Sequence, residues 1–312
     1  MPDRTPDRNA PVVVGVDLGG TGVKAGLVDH AGHVLDRFTL KTADFDDPRR
    51  LVEHLASEIE DRVGDRSLVG VGVGAPNGNG YRGTVENPPN LPWRGVVPLA
   101  AWLGEATGVP SVLANDANAA ALGEQHFGAA RGMRDFLFIT LGTGLGSGIV
   151  VAGELVCGHD GFAGELGHVI VEKNGRRCGC GRRGCLEQYA SATGLVHTYR
   201  ELAPGAPEEA DARYVFERAE AGEAAAEEAF ERTAETLGLA LANSVAYTEP
   251  EAIFLFGGLA AAGERLFGPV RRHFEANLLM VYRGKTAILP SALPESDAAI
   301  LGAASLLWKD QP

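Results

Sequence analysis

Cysteine is almost missing from this chain, with four in 312 residues. So few thiols exclude a small disulfide-stapled scaffold, and a chain of this length can bury one large core or two without covalent help. Aromatic residues are also few, at 7%. Basic residues are outnumbered, 28 against 41 acidic, for a net charge of −13. A nucleic-acid binder should carry a basic face, so that class is set aside and the acidic excess reads as solubility charge. No apolar run approaches the roughly 20 residues needed to span a bilayer. The opening MPDRTPDRNAP is too polar for a secretory leader. The expectation is a cytoplasmic protein with neither membrane nor nucleic acid as partner.

Several chemical signatures are missing as well. Gly284-Lys285-Thr286 has the tail of a Walker A motif, but Leu279 stands where the first glycine belongs. A strand-linked G-x-G-x-x-G with a following acidic residue is absent, which argues against a nicotinamide cofactor. His-Glu-x-x-His is absent too, and Glu165-x-x-His168 lacks the second half that a di-iron site needs.

What the chain has in quantity is glycine, 42 residues, roughly twice the usual ~7% share. The runs DLGGTG, GVGAP, LGTGLGSG and FLFGG each follow an apolar, strand-like segment. Such glycines suggest loops that need unusual backbone angles or a close approach to a ligand. Residues 12–41 read as a β-meander, 48–63 as a helix, SLVGVGVGAP and SVLAN as buried strands, and 98–107 as a short helix. Asn115 or Asp116 caps a helix running through Gln125. The set then recurs: strand FLFITLG, glycine turn GTGLGSG, strand IVVAG, a helix over 223–248, strand EAIFLFGG, a helical stretch from Leu259, strand TAILP and the closing helix DAAILGAASLLW. Two similar sheet-and-helix halves are the economical account, with ligand at the glycine-rich strand ends.

Backbone amides in a glycine turn can converge on phosphate oxygens. Thr21 and Thr143 place hydroxyls in two such turns, and Asp17 at a strand end could orient a hydrated magnesium. Plain tight turns are the competing reading for any one loop.

Three of the four cysteines crowd into HVIVEKNGRRCGCGRRGC, residues 168–185. With His168 at the head of a strand-like HVIV, Cys178, Cys180 and Cys185 could close a tetrahedral zinc site with no open position for water. Cys-x-Cys is tighter than the usual zinc spacing, so a redox role stays open on the residues alone. Arg176, Arg177, Arg182 and Arg183 read as solvated surface, and Cys157 as a small buried residue outside the cluster.

The order DLGGTGVK, LGTGLGSG, FLFGG resembles the phosphate–phosphate–adenosine order of the actin-like ATPase superfamily. Within it, NDANAAALGE at 115–124 and the stretch from AGELGH to CGCGRRGCLE at 163–187 resemble the ROK family of sugar kinases and sugar-responsive repressors, over residues 12–308. The resemblance implies an α/β, two-lobed actin-like (ribonuclease H-like) fold. Its N-terminal lobe would hold residues 1–116 plus 297–312, and its C-terminal lobe 117–296 with a zinc loop at 168–185.

It further implies ATP and Mg2+, held by Asp17, Gly19, Gly20, Thr21, Lys24, Gly142, Thr143, Gly144, Gly257 and Gly258. Phosphoryl transfer to an alcohol needs a carboxylate to take the proton. Asp116, which could otherwise be an ordinary cap, corresponds to that base. Asn90, Asn115, Asp116, Glu165, His168 and Glu187 would bind the sugar. In GAPNGN, Asn77 stands where the family more often has glycine, so Gly74, Ala75 or Asn77 are further sugar candidates. His168, Cys178, Cys180 and Cys185 would hold a structural Zn2+, with the second ring nitrogen of His168 left for a sugar hydroxyl.

The implied activity is ATP-dependent phosphorylation of a hexose at its 6-hydroxyl, glucose first. N-acetylmannosamine, fructose or mannose as acceptor, and polyphosphate as donor, are alternatives. A homodimer or tetramer fits the resemblance. A repressor would add an N-terminal helix-turn-helix, and a first strand at Val12 is expected to leave no room for one.

Overall fold

The computed structural model describes residues 10–88 and 90–308. The chain forms two compact units. Of the described residues, one takes those up to Gly132, the segment Leu155–Ala163 and those from Ala292, and the other takes Met133–Glu154 and Gly164–Ser291. A boundary after residue 116 would give the helix Asp116–Phe127 to the second lobe; instead it lies in the first unit, packed on the helix Ala298–Trp308. Small residues explain the pairing: a Cβ on Gly123 would stand 2.8 Å from Gly302 Cα, so the two backbones nearly touch.

In the first unit the sheet runs Val34–Lys41, Gly22–Val28, Val12–Leu18, Leu68–Ala75, Ser111–Asn115 in spatial order. The first three strands form the expected meander, and the last three are parallel. Val12–Leu18 is covered on both faces, which is why its valines run together rather than alternate with polar residues. Gly15 and Gly72 are register partners. A Cβ there would meet the carbonyl oxygens of Ile300 and Ala303 at 2.0 and 1.9 Å, so the two glycines cut a notch for the helix Ala298–Trp308. Composition points glycine toward loops; these sit mid-strand and serve packing. The stretch around VENPPNLPWRG, expected to be loop, contributes to a small antiparallel sheet of Gly78–Asn79, Thr84–Glu86 and Val96–Val97.

In the second unit Leu145–Val151 pairs antiparallel with Phe136–Leu141, and Ala252–Phe256 and Ala287–Pro290 continue in parallel. Phe230, Leu241, Val270 and Phe274, from the helices Ala224–Thr248 and Glu264–Asn277, fill the core beside it. The glycine turn is shorter than GTGLGSG suggests: Gly146 and Gly148 already pair with Thr140 and Phe138 across the ladder. The helical stretch from Leu259 breaks at Gly263, whose φ of 58° interrupts it after a single 3-10 turn. Helices Ala192–Leu202 and Ala212–Glu220 appear where no expectation stood. His168 ends a 3-10 turn, Leu166–His168, rather than heading a strand. Gly167 makes that turn possible, since a Cβ there would lie 2.1 Å from the carbonyl oxygen of Leu145. Among the described residues no helix is long and apolar enough to cross a membrane.

Candidate active site

In the first unit, register sets the chemistry. Asp17 is opposite Gly74, and Ala75 is opposite Asn115, so Asp17 and Asp116 emerge at the same carboxyl edge of the parallel strands, on either side of Leu68–Ala75. Lys24 is the cross-strand partner of Asp17 on its other side. The turn after Asp17 is closed by Gly19 N–H donating to Gly22 O at 2.9 Å. It is braced by the hydroxyl of the fully buried Thr42, which donates to Gly19 O at 2.7 Å. Thr42 had no signal in the sequence. Gly20 is needed for close approach, because its missing Cβ would stand 2.5 Å from the carbonyl oxygen of Asn90. The backbone of Asn90 therefore lies against the turn that follows Asp17.

Asn115 is the cap: its Oδ1 accepts from Ala117 N–H at 3.0 Å, and Asp116 is the first helical residue. Asp116 Oδ1 accepts from the same amide at 2.8 Å. Water reaches Asp116, yet desolvation by the protein around it still holds its carboxyl above the usual carboxylate range, against the pull of the Ala117 amide. Asp17 is pushed up to about 6, first by burial and then by the charge of Asp116, with Lys24 opposing. Asn77, at φ 51°, spends its side-chain amide on the carbonyls of Glu86 and Asn87 at 3.0 and 3.3 Å. It is a turn residue.

In the second unit, Gly142–Gly144 form a tight turn, with Gly142 N–H donating to Gly144 O at 3.1 Å. Gly257, at φ 101°, packs against Leu141, where a Cβ would be 2.8 Å from the carbonyl oxygen. The turns at 142–144 and 257–258 are thus neighbours. Thr143 edges a cavity of about 330 Å³ shared with Thr193, His197, Arg200 and Asp211. A Cβ on Gly144 would stand 2.8 Å from Glu187 Oε2, so this turn reaches the carboxylate at the start of the short helix Glu187–Ala190.

Around Glu187, two of the other expected sugar residues of this unit, Glu165 and His168, come together. His168 turns Nδ1 toward Cys178 Sγ at 3.6 Å and lies 4.0 Å from Glu187 Oε1, while Nε2 is 3.9 Å from Glu165 Oε2. Buried Ser147, also unforeseen, grips both sides of Glu165: its hydroxyl donates to Gly164 O at 2.5 Å and accepts from Leu166 N–H at 3.2 Å. Its position two residues into a strand after a glycine turn was the available clue.

Ligand atoms of His168, Cys178, Cys180 and Cys185 all lie within 4.8 Å of one another. Cys180 and Cys185 sulfurs are 3.6 Å apart, far beyond a ~2.05 Å disulfide bond and close to the ~3.8 Å edge of a tetrahedron with ~2.3 Å zinc–sulfur bonds. The donor set fits zinc. Although burial opposes it, Cys180 is pushed down to about 6 by the backbone amide and side chain of Arg182, while burial pushes Cys178 up. Cys157 is half-buried, not fully buried, and lies outside the cluster.

Arg176 departs from the surface reading. Its side chain is 15% exposed. It donates to Gln188 O at 2.6 Å, Gly194 O at 3.2 Å, Thr198 Oγ1 at 2.9 Å and both oxygens of Glu201 at 3.0 and 2.7 Å.

Residues 13–310 match the ROK family model. The chain belongs to the ROK family. A glucokinase of Thermotoga maritima is 39% identical over 307 residues, covering 95% of this chain and 96% of that protein. An N-acetylmannosamine kinase of Citrobacter koseri is 35% identical over 298 residues, covering 95% and 98%. A ROK glucokinase of Streptomyces griseus, solved with glucose and AMPPNP, superposes with TM-score 0.79 at 35% identity, covering 95% of this chain and 98% of that one. The mixed α/β fold of this ROK protein is therefore the actin-like ATPase fold that its glycine motifs suggest.

Proposed function

We propose that this ROK protein is an ATP-dependent glucokinase that phosphorylates the 6-hydroxyl of glucose. The observation that carries the reading is Asp116: a water-accessible carboxylate at a helix start, at the carboxyl edge of a parallel sheet, held above its ordinary pKa. A base is most effective when its pKa approaches the working pH, and the lift brings Asp116 nearer that condition. Asp116 takes the proton of the sugar hydroxyl as the hydroxyl oxygen attacks the terminal phosphorus of ATP.

Glu165, His168 Nε2 and Glu187 of the second unit serve sugar hydroxyls, and Asn90 and Asn115 of the first unit are assigned the same role by the family resemblance. Two carboxylates and an imidazole at fixed separations discriminate hydroxyl orientation, because a misplaced hydroxyl leaves a polar group unpaired. The turns at Gly19–Thr21 and Gly142–Gly144 offer amides to the phosphates, Lys24 adds charge, and Gly257–Gly258 lies toward the nucleoside. Magnesium, when bound with ATP, supplies positive charge over the phosphates, and Asp17 is the residue suited to orient its waters. His168, Cys178, Cys180 and Cys185 would hold a zinc ion, which would fix the tautomer of His168 and hold the loop in a structural role.

A phosphorylation assay over a panel of hexoses and amino sugars tests the reading. Glucose should give the highest kcat/KM with ATP, and Asp116→Ala should lower kcat by roughly 10²–10⁴-fold while glucose still binds. No transfer to any sugar, or near-normal kcat in that variant, would defeat it. The similarity to the Citrobacter koseri kinase favours N-acetylmannosamine as the second acceptor to try.

A further inference from the structure

Glu187, read above as a sugar ligand, is held from two sides. The metal cluster is one: Cys178 Sγ lies 3.1 Å from Glu187 Oε1. The other is the backbone just after it, which is braced by Arg176, a residue outside the metal-type cluster.

The guanidinium has five N–H donors in a fixed fork, and here five contacts take them up: Gln188 O, Gly194 O, Thr198 Oγ1 and the two oxygens of Glu201. Gln188 follows Glu187 directly, so the 2.6 Å bond from Arg176 Nη1 fixes the Gln188–Tyr189 peptide, one residue beyond the carboxylate. The guanidinium also lies 4.6 Å over the ring of Tyr189. The backbone N–H of Arg176 donates to the phenolic oxygen of that tyrosine at 2.8 Å, and its carbonyl accepts from Gly184 N–H at 2.8 Å. The two residues after Glu187, Gln188 and Tyr189, are thereby tied to the stem of the loop. Thr198 and Glu201 anchor the same fork to the helix Ala192–Leu202.

We propose that Arg176 is a positioning residue that sets the place of the Glu187 carboxylate independently of the metal. Its neighbours Arg177 and Arg183, on the same loop, reach none of these groups; Arg183 donates to Gly175 O at 3.3 Å. A point charge would satisfy Glu201, but only a planar fork serves two carbonyls, a hydroxyl and a carboxylate together.

The test is a double-mutant cycle on the full chain, with glucose affinity measured by equilibrium dialysis and zinc content and ATP KM measured alongside. Arg176→Ala should weaken glucose binding roughly tenfold, as a displaced positioning group does, with one zinc retained per chain and ATP KM unchanged. In a Glu187→Gln background the same substitution should cost almost nothing, because the residue acts through that carboxylate. Arg176→Lys should behave like the alanine variant, and it takes that variant's place in the cycle if Arg176→Ala does not fold. Loss of zinc in the arginine variants, or a full loss of affinity persisting in the Glu187→Gln background, overturns the proposal. A wild-type chain that binds no glucose overturns the functional reading itself, and this inference with it.

Discussion

Asp17 and Asp116 stand at the carboxyl ends of two parallel strands of the first unit, one on each side of Leu68–Ala75, and the charge of Asp116 raises the pKa of Asp17. Two carboxylates so placed oppose each other whenever both are ionised. A folded protein keeps such an arrangement at a cost in stability, and the cost marks the place where a cation or a proton is wanted.

The cost has a pH signature. Asp17 moves from an ordinary 3.8 to about 6 on folding. Between those values the folded state binds more protons than the unfolded one, so stability is fully present below about pH 4 and falls as pH rises through about 6. Asp17→Asn removes this titration. Relative to wild type in magnesium-free buffer, the variant should gain little at pH 4.5 and of order 1–3 kcal/mol at pH 7.5, from ~1.4 kcal/mol per pK unit. Urea unfolding at three pH values measures it. A gain that does not change with pH would mean that Asp17 is not titrating in that window.

Much of the fold was legible because hydrophobic pattern and punctuation agree. Pro48 opens and Gly64 closes the helix Pro48–Val63, whose buried face is Leu51, Val52, Leu55, Ile59 and Val63. The strand Ser111–Asn115 and the start of the next helix followed from SVLAN and Asn115 in the same way. Four metal-type ligands within one short stretch also converge in space. What stayed hidden depends on tertiary partners. Gly15 and Gly72 look like any strand glycine until the last helix of the chain lies on them. Nothing local tells Arg176 from Arg177, because its partners Thr198 and Glu201 are more than 20 residues away. The lobe boundary expected after 116 differs from the observed units for the same reason, since helix Asp116–Phe127 is claimed by contacts with Ala298–Trp308.

Ser147 carries a second prediction. Its hydroxyl serves the carbonyl before Glu165 and the amide after it. Alanine at this position leaves both part-buried groups without this partner, which costs about 1–3 kcal/mol. Since Glu165 sits between those peptides, the loss should also appear as a raised KM for glucose with the ATP KM unchanged. Denaturant unfolding and steady-state kinetics on Ser147→Ala measure the two effects. Destabilisation without any change in glucose KM would leave Ser147 as a packing residue alone.

The metal cluster gives the last prediction. Cys157 is outside it, while Cys178, Cys180 and Cys185 each present a sulfur to the common centre. Thiolates bound to zinc are shielded from electrophiles, so chelation should expose three thiols per chain to a thiol reagent at neutral pH, released together with one zinc. The two sheets and their helices draw their cores from residues outside 168–185 for the most part, so far-ultraviolet circular dichroism should barely change. Glucose affinity should fall, because Cys178 and His168 stand beside Glu187. Restoring zinc should restore affinity. Three cysteines that react equally fast before chelation, or a chain purified with no bound metal, would reduce the cluster to an unmetallated set of thiols, and the support it gives His168 and Glu187 would have to come from hydrogen bonds alone.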